Sequence, residues 1–183
     1  LHTSLSELVT LDYPGHDVLK LVAWGNGRQG SQTLPALRQG DHLETAFVSL
    51  IHQPQTRITY PVAGSPDDLF YGTIDIQNAA DSSVKELPFR RKVSGVAITA
   101  RYLKEYVGSS EGDFHCILYK TSDKLDFYGL SSGTDVSYRP DASFNERGDF
   151  VSSVFNILPT DEELRIGIYH RGVLKTTIVS DNQ

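Results

Sequence analysis

Short apolar runs without helical periodicity recur along this chain between clusters of Gly, Pro, Asn, Asp and Ser, and that rhythm restricts it to an all-β fold. The spacing predicts strands at Glu7 to Leu11, Val18 to Trp24, His42 to Ile51, Arg57 to Pro61, Leu69 to Ile76, Val93 to Leu103, Asp113 to Tyr119, Leu125 to Tyr128, Asp149 to Leu158, Glu163 to His170 and Val173 to Val179. The last two form the clearest pair. Leu164, Ile166 and Ile168 alternate with Arg165, Gly167 and Tyr169, and Arg171-Gly172 then turns the chain into Val173 to Val179, a hairpin signature. Within Val93 to Leu103 the apolar phase slips beside Gly95, where a β-bulge is expected.

Two segments read as connectors. Asn78 to Ser83 is small and polar, and a domain boundary is expected there, giving units 1–80 and 84–183. Gly25 to Gly40 is a long Gly-, Gln- and Ser-rich loop with a short helical turn expected around Leu34 to Leu37. Thr160 to Glu163, after Pro159, reads as a turn.

The 183 residues are 39% hydrophobic, enough for packed cores, which argues against disorder. A formal net charge of -6 with scattered positive residues leaves no basic surface for a phosphate backbone, so nucleic acid is a poor partner. No apolar run approaches the roughly 18 residues of a membrane-spanning helix, and no signal peptide is present. The chain begins at Leu1 rather than at methionine, which reads as a processed or truncated product, so the absence of an export signal from these residues excludes nothing.

Candidate chemistry is sparse. Cys116 is the sole cysteine, so no intrachain disulfide can form; Phe114, Cys116 and Leu118 share a strand face, which makes the thiol a buried small hydrophobe rather than a nucleophile beside His115. His2, His16, His42, His52, His115 and His170 show no metal-ligand spacing, and neither Asp67-Asp68 nor Asp161-Glu162-Glu163 follows a calcium-loop pattern. Gly25-Asn26-Gly27-Arg28-Gln29-Gly30 lacks the following helix that a phosphate cradle requires. No Gly-x-Ser-x-Gly elbow exists, and no pair of carboxylates has a spacing that suggests a hydrolase. No catalytic, cofactor or metal residues are therefore assigned. Arg147-Gly148-Asp149 could offer a guanidinium and a carboxylate to an integrin-type host receptor, with a plain surface turn as the simpler reading.

Three stretches carry a family resemblance: Asp12 to Asn26, ending in Val-Ala-Trp-Gly-Asn; Asp68-Leu69-Phe70-Tyr71-Gly72; and Leu87-Pro88-Phe89-Arg90-Arg91-Lys92-Val93. With these the chain resembles the fimbrial anchor and minor-subunit family of Bacteroidales, relatives of the fimbrillins. The resemblance implies two transthyretin-like β-sandwich domains in tandem and no enzyme activity. It implies an extracellular fimbrial subunit or anchor at the cell surface, and an outer-membrane lipid anchor outside the given residues. It also implies further strands before Leu1 and after Gln183, so each sandwich should expose an open edge that another subunit completes by donor-strand pairing. Related fimbrillins are clipped by an arginine-specific protease; Arg90-Arg91 is a dibasic pair of that kind, with strand entry as the plain alternative.

The structural residues to watch are Trp24 and Leu21 in the first core, Phe70 and Tyr71 beside the linker, and Val96 and Ile98 in the second. A carbohydrate-binding module or adhesin is the alternative, because 10% aromatic content could supply rings that stack sugars; coplanar exposed rings on one face would favour it, buried rings would not.

Overall fold

The computed structural model describes residues 10, 17–27, 30–54, 61–78, 83–109 and 111–179. Its strands are β1 (Leu19–Gly25), β2 (Gln32–Thr33), β3 (Phe47–Leu50), β4 (Phe70–Ile76), β5 (Phe89–Arg91), β6 (Ser94–Val96) and β7 (Thr99–Ala100). After the short helix α1 (Leu103–Val107) come β8 (Phe114–Asp126), β9 (Ser131–Tyr138), β10 (Ala142–Phe144), β11 (Phe150–Ser152), β12 (Phe155–Ile157), β13 (Arg165–His170) and β14 (Val173–Val179). The class is all-β. The expected strands at Glu7 to Leu11 and Arg57 to Pro61, and the motif residues Asp12 to His16, lie wholly or almost wholly outside the described residues.

β8 organises the largest sheet. Leu118 pairs with Ile166 of β13 on one side and Tyr138 of β9 on the other, and Leu125 pairs with Val48 of β3 and with Ser131 of β9. β13 and β3 thus succeed each other along one edge of β8 while β9 follows the opposite edge, and β14 and β2 close the order β14-β13-β8-β3-β2. β1, β4 and β5 form a separate antiparallel sheet, and smaller pairings join β10-β11-β7 and β12-β6. Beneath them lies one core cluster that includes Val48, Leu69, Val93, Cys116, Leu118, Leu125, Tyr138, Phe150 and Ile168, all buried.

The β13–β14 hairpin forms as its alternation predicts, with Arg171 and Gly172 both at positive φ, 52° and 75°, the twist a two-residue hairpin loop requires. Other expectations need correction. Asp113 to Tyr119 and Leu125 to Tyr128 are not two strands; β8 runs through Lys120 to Lys124, absorbing a positive φ of 65° at Lys120. Gly95 sits in regular register opposite Asn156, so no bulge falls there. Across Ala97 and Ile98 the chain leaves β12 as partner and joins β11. Leu34 to Leu37 carries no helical turn; the local helical turn is 3-10, at Leu43–Thr45.

The boundary expected at Asn78 to Ser83 lies between β4 and β5, and residues 79–82 fall outside the described set. Strands from its two sides pair with each other, β3 with β8 and β4 with β5, and the core cluster draws side chains from both.

Candidate functional site

The three resemblance motifs, far apart in sequence, become neighbouring strands of one sheet. Trp24 of β1 pairs with Tyr71 of β4, and Tyr71 pairs in turn with Arg90 of β5. Asn26, held at φ 60°, donates from Nδ2 to the Asp68 carbonyl at 2.9 Å. Arg91 donates through Nε to the Asp68 carboxylate and through Nη2 to Asn156 Oδ1 at 3.3 Å, tying β5 to the loop before β4 and to β12. Tyr71 Oη donates to the Phe127 carbonyl at 3.2 Å, and Lys92 Nζ lies 5.4 Å from the Tyr71 ring centre. Gly72 is needed for close approach: a Cβ there would stand 2.9 Å from the Pro88 carbonyl oxygen.

The two faces of this sheet differ. Trp24 turns toward the core, its ring centre 5.0 Å from that of Tyr71 and 6.1 Å from that of Phe127, and its Nε1 is buried without a hydrogen-bond partner among the described residues. Along the same face the ribbon becomes polar, ending in the Lys20–Asp75 ion pair at 3.0 Å; the Asp75 hydrogen bond and charge raise the Lys20 pKa. The opposite face is apolar throughout. Leu19 opposes Ile76, Leu21 opposes Ile74, and Gly25 opposes Phe70, all half-buried and none in the core cluster. β1 pairs only with β4, so among the described residues it stands at an end of its sheet. β14 ends the large sheet in the same way, with Val173, Leu174, Ile178 and Val179 exposed. There Tyr106 Oη donates to the Lys175 carbonyl at 3.3 Å.

That apolar face escaped a reading of Val18 to Trp24 as one run. The signal was present: Leu19, Leu21 and Ala23 alternate with Val22 and Trp24, so both strand phases are apolar, which a strand exposing one face to water does not need.

The singled-out polar groups are mostly occupied. Asp67 accepts from Gln32 Nε2 at 2.9 Å and Asp68 from Arg91, so both serve the motif cluster. Asp161, Glu162 and Glu163 are exposed, and Thr160 Oγ1 caps the Glu162 N–H at 3.1 Å, as a turn requires. His52 pairs with buried Asp123 at 3.2 Å, and His170 lies 2.7 Å from the Glu111 carbonyl and stacks on Phe114. His115 stacks on Tyr169 beside Asp113; burial, aided by the Arg139 charge, lowers its pKa. His42 is exposed, and His2 and His16 lie outside the described residues. Among the described residues no group of three or more His, Cys, Asp or Glu could hold a metal ion. Cys116 is buried in the core, and desolvation pushes its thiol up to about 11.

No helix follows Gly25 to Gly30; the two-residue strand β2 does. Arg90 and Arg91 are exposed within β5. Arg147-Gly148-Asp149 lies at the tip of the β10–β11 hairpin. Of the aromatics, Trp24, Tyr71 and Phe127 form one inward group and Phe114, Phe144 and Phe150 another, with rings tilted rather than coplanar. Tyr102 at the start of α1, Tyr106 within it and Tyr128 near β8 are exposed. Among the described residues no helix is long and apolar enough to cross a membrane.

The family described as fimbrillin-A associated anchor proteins Mfa1 and Mfa2 matches residues 2–182. Among solved structures, the fimbrial anchor protein Mfa2 of Porphyromonas gingivalis is similar with a TM-score of 0.65 at 14% identity, over 88% of this chain and 59% of that one. A Bacteroides ovatus protein titled as a candidate adhesin has a TM-score of 0.64 at 12% identity, over 88% of this chain and 55% of that one. A Bacteroides thetaiotaomicron protein titled as a candidate polysaccharide-binding protein has a TM-score of 0.66 at 16% identity, over 91% of this chain and 58% of that one. These likenesses are of fold, and the chain spans less than two thirds of the length of each structure. No curated protein matches the chain.

Proposed function

The chain belongs to the fimbrillin-A associated anchor protein family, and from that premise we propose that it is a fimbrial subunit or anchor at the cell surface, working by assembly and adhesion rather than turnover. Its partners are other fimbrial subunits, joined by β-strand complementation. In this reading units 1–80 and 84–183 are two transthyretin-like sandwiches, coupled through the β3–β8 and β4–β5 pairings. A lipid anchor outside the given residues belongs to the same proposal.

The observation that carries it is the β1–β4 ribbon, which among the described residues combines an end strand with an apolar outer face. An end strand offers unpaired N–H and C=O groups, and alternate side chains of an incoming strand can fill the apolar face beside it. Lys20→Cys places a reactive thiol on β1 in a protein whose own Cys116 is buried. Photo-crosslinking from that thiol in assembled fibres should capture an extended segment of a neighbouring subunit. Fibres that assemble normally while this position yields no subunit adduct would remove β1 from the interface.

A further inference from the structure

We propose that the tip of the β10–β11 hairpin is a receptor-binding site that presents Arg147 and Asp149 together to a host protein of integrin type. Such a receptor sets a carboxylate against the guanidinium and a bound divalent cation against the Asp149 carboxylate. The site extends the adhesive part of the proposed function and does not depend on strand complementation.

The hairpin is built from the core outward. Ala142, Ser143 and Phe144 pair with Ser152, Val151 and Phe150. Phe150 is buried, and the Phe144 ring centre lies 5.2 Å from that of Phe150 and 5.0 Å from that of Phe114, which anchors the stem in the aromatic cluster. Above it the Asn145 N–H donates to the Asp149 carbonyl at 2.9 Å, and the Gly148 N–H to the Asn145 carbonyl at 3.0 Å. Asn145 Oδ1 accepts from the N–H groups of Arg147 at 3.0 Å and Asp149 at 2.9 Å. Gly148 takes φ 82°, completing a three-residue loop of the turn-plus-left-handed type.

This turn chemistry accounts for Asn145 and Gly148. It does not account for Arg147 and Asp149. Their backbone N–H groups are engaged, and among the described residues neither side chain makes a hydrogen bond or ion pair. Arg147 is exposed and Asp149 half-buried, so two opposite charges separated by one glycine stand unspent on a loop whose backbone is already fixed. Fixing the loop in advance lowers the entropy lost on binding, and charge-assisted contacts to both groups supply the specificity.

The test immobilises the full chain and flows a recombinant Arg-Gly-Asp-reading integrin ectodomain over it in manganese buffer. Binding should be displaced by a cyclic Arg-Gly-Asp peptide, abolished by EDTA, and weakened about tenfold or more by Asp149→Glu and by Arg147→Gln. The thermal midpoint of each variant checks that it is folded, and peptide displacement from the unaltered chain needs no variant at all. Absence of binding at micromolar receptor, or binding indifferent to EDTA and the competing peptide, overturns the site. Retention by a glycan on the receptor, removed by deglycosylation, also overturns it. Fibre incorporation of both variants is measured separately and should be unchanged, so loss of receptor binding and failure of assembly are distinguishable.

Discussion

Trp24 and Tyr71 are cross-strand partners whose ring planes are tilted by 55°, so the last apolar residue of one motif rests on the aromatic centre of another. Phe127 closes the group from the β8–β9 turn, joining the three-stranded sheet to the large one. Trp24→Ala should therefore cost about 3 kcal/mol, the lower end for deleting a large aromatic because this ring is only partly buried. Urea titration reads the loss as a lowered midpoint at unchanged slope. A midpoint equal to that of the unaltered protein would mean the contact carries no stability.

A pH-dependent contribution is expected from His115. Its folded pKa lies below the ordinary 6.5 because burial and Arg139 disfavour the imidazolium, with Asp113 opposing them. Below 6.5 the unfolded chain then binds more protons than the folded one, so stability falls as the pH drops from 6.5 toward the folded pKa, and this contribution is flat above 6.5. His115→Gln should shrink the difference in urea midpoint between about pH 7.5 and about pH 5.5. An undiminished difference would assign the pH dependence to other groups.

Cys116 should be inert in the folded protein. It is fully buried in the core, and with its thiol pushed up to about 11 almost no thiolate exists at neutral pH. Labelling by a disulfide reagent should be slow in buffer and complete in urea. Rapid labelling in buffer would mean that β8 opens readily.

What the sequence disclosed was local. The β13–β14 hairpin was legible because alternation and a two-residue turn are both written within 16 neighbouring residues, 164–179. The buried thiol was legible for the same reason, from the phase of Phe114, Cys116 and Leu118. β9 was not: Ser131 to Tyr138 is largely polar, and it is a strand because β8 lies alongside it. The fusion of two expected strands into β8 was hidden by Lys120 to Lys124, a polar stretch whose strand character comes from its neighbours β9 and β3. The motif residues Trp24, Tyr71 and Arg91 could be singled out in sequence, but their convergence on one sheet depends on pairings that no local pattern encodes.

The pairing of strands across residues 78–83 predicts cooperative unfolding. β3 lies against β8, β4 against β5, and a single core cluster contains Val48 and Leu69 from one side and Val93 and Leu118 from the other. Tryptophan fluorescence, which reports only Trp24, and far-ultraviolet circular dichroism, which reports every strand, should give superimposable urea transitions. Two separated transitions would show that the residues on the two sides of that segment unfold independently.

The motif cluster contains an ion pair and a steric contact, and they should differ in consequence. Asp68 and Arg91 are each nearly half exposed, at 47% and 45%, so water screens their attraction and Asp68→Asn should cost no more than about 1 kcal/mol. Gly72 is buried, and a methyl group there would meet the Pro88 carbonyl at 2.9 Å and Leu87 Cγ at 3.2 Å. The obstructing atom is backbone, so relief requires β5 to move off β4, and Gly72→Ala should cost about 1–3 kcal/mol by overpacking. Moving β5 also draws Arg91 from Asp68 and Asn156, so the glycine substitution should forfeit the ion pair as well. In Gly72→Ala, adding Asp68→Asn should then change the urea midpoint less than it does in the unaltered protein. Simple additivity of the two changes would mean that β4 and β5 stay paired and that the methyl group is accommodated elsewhere.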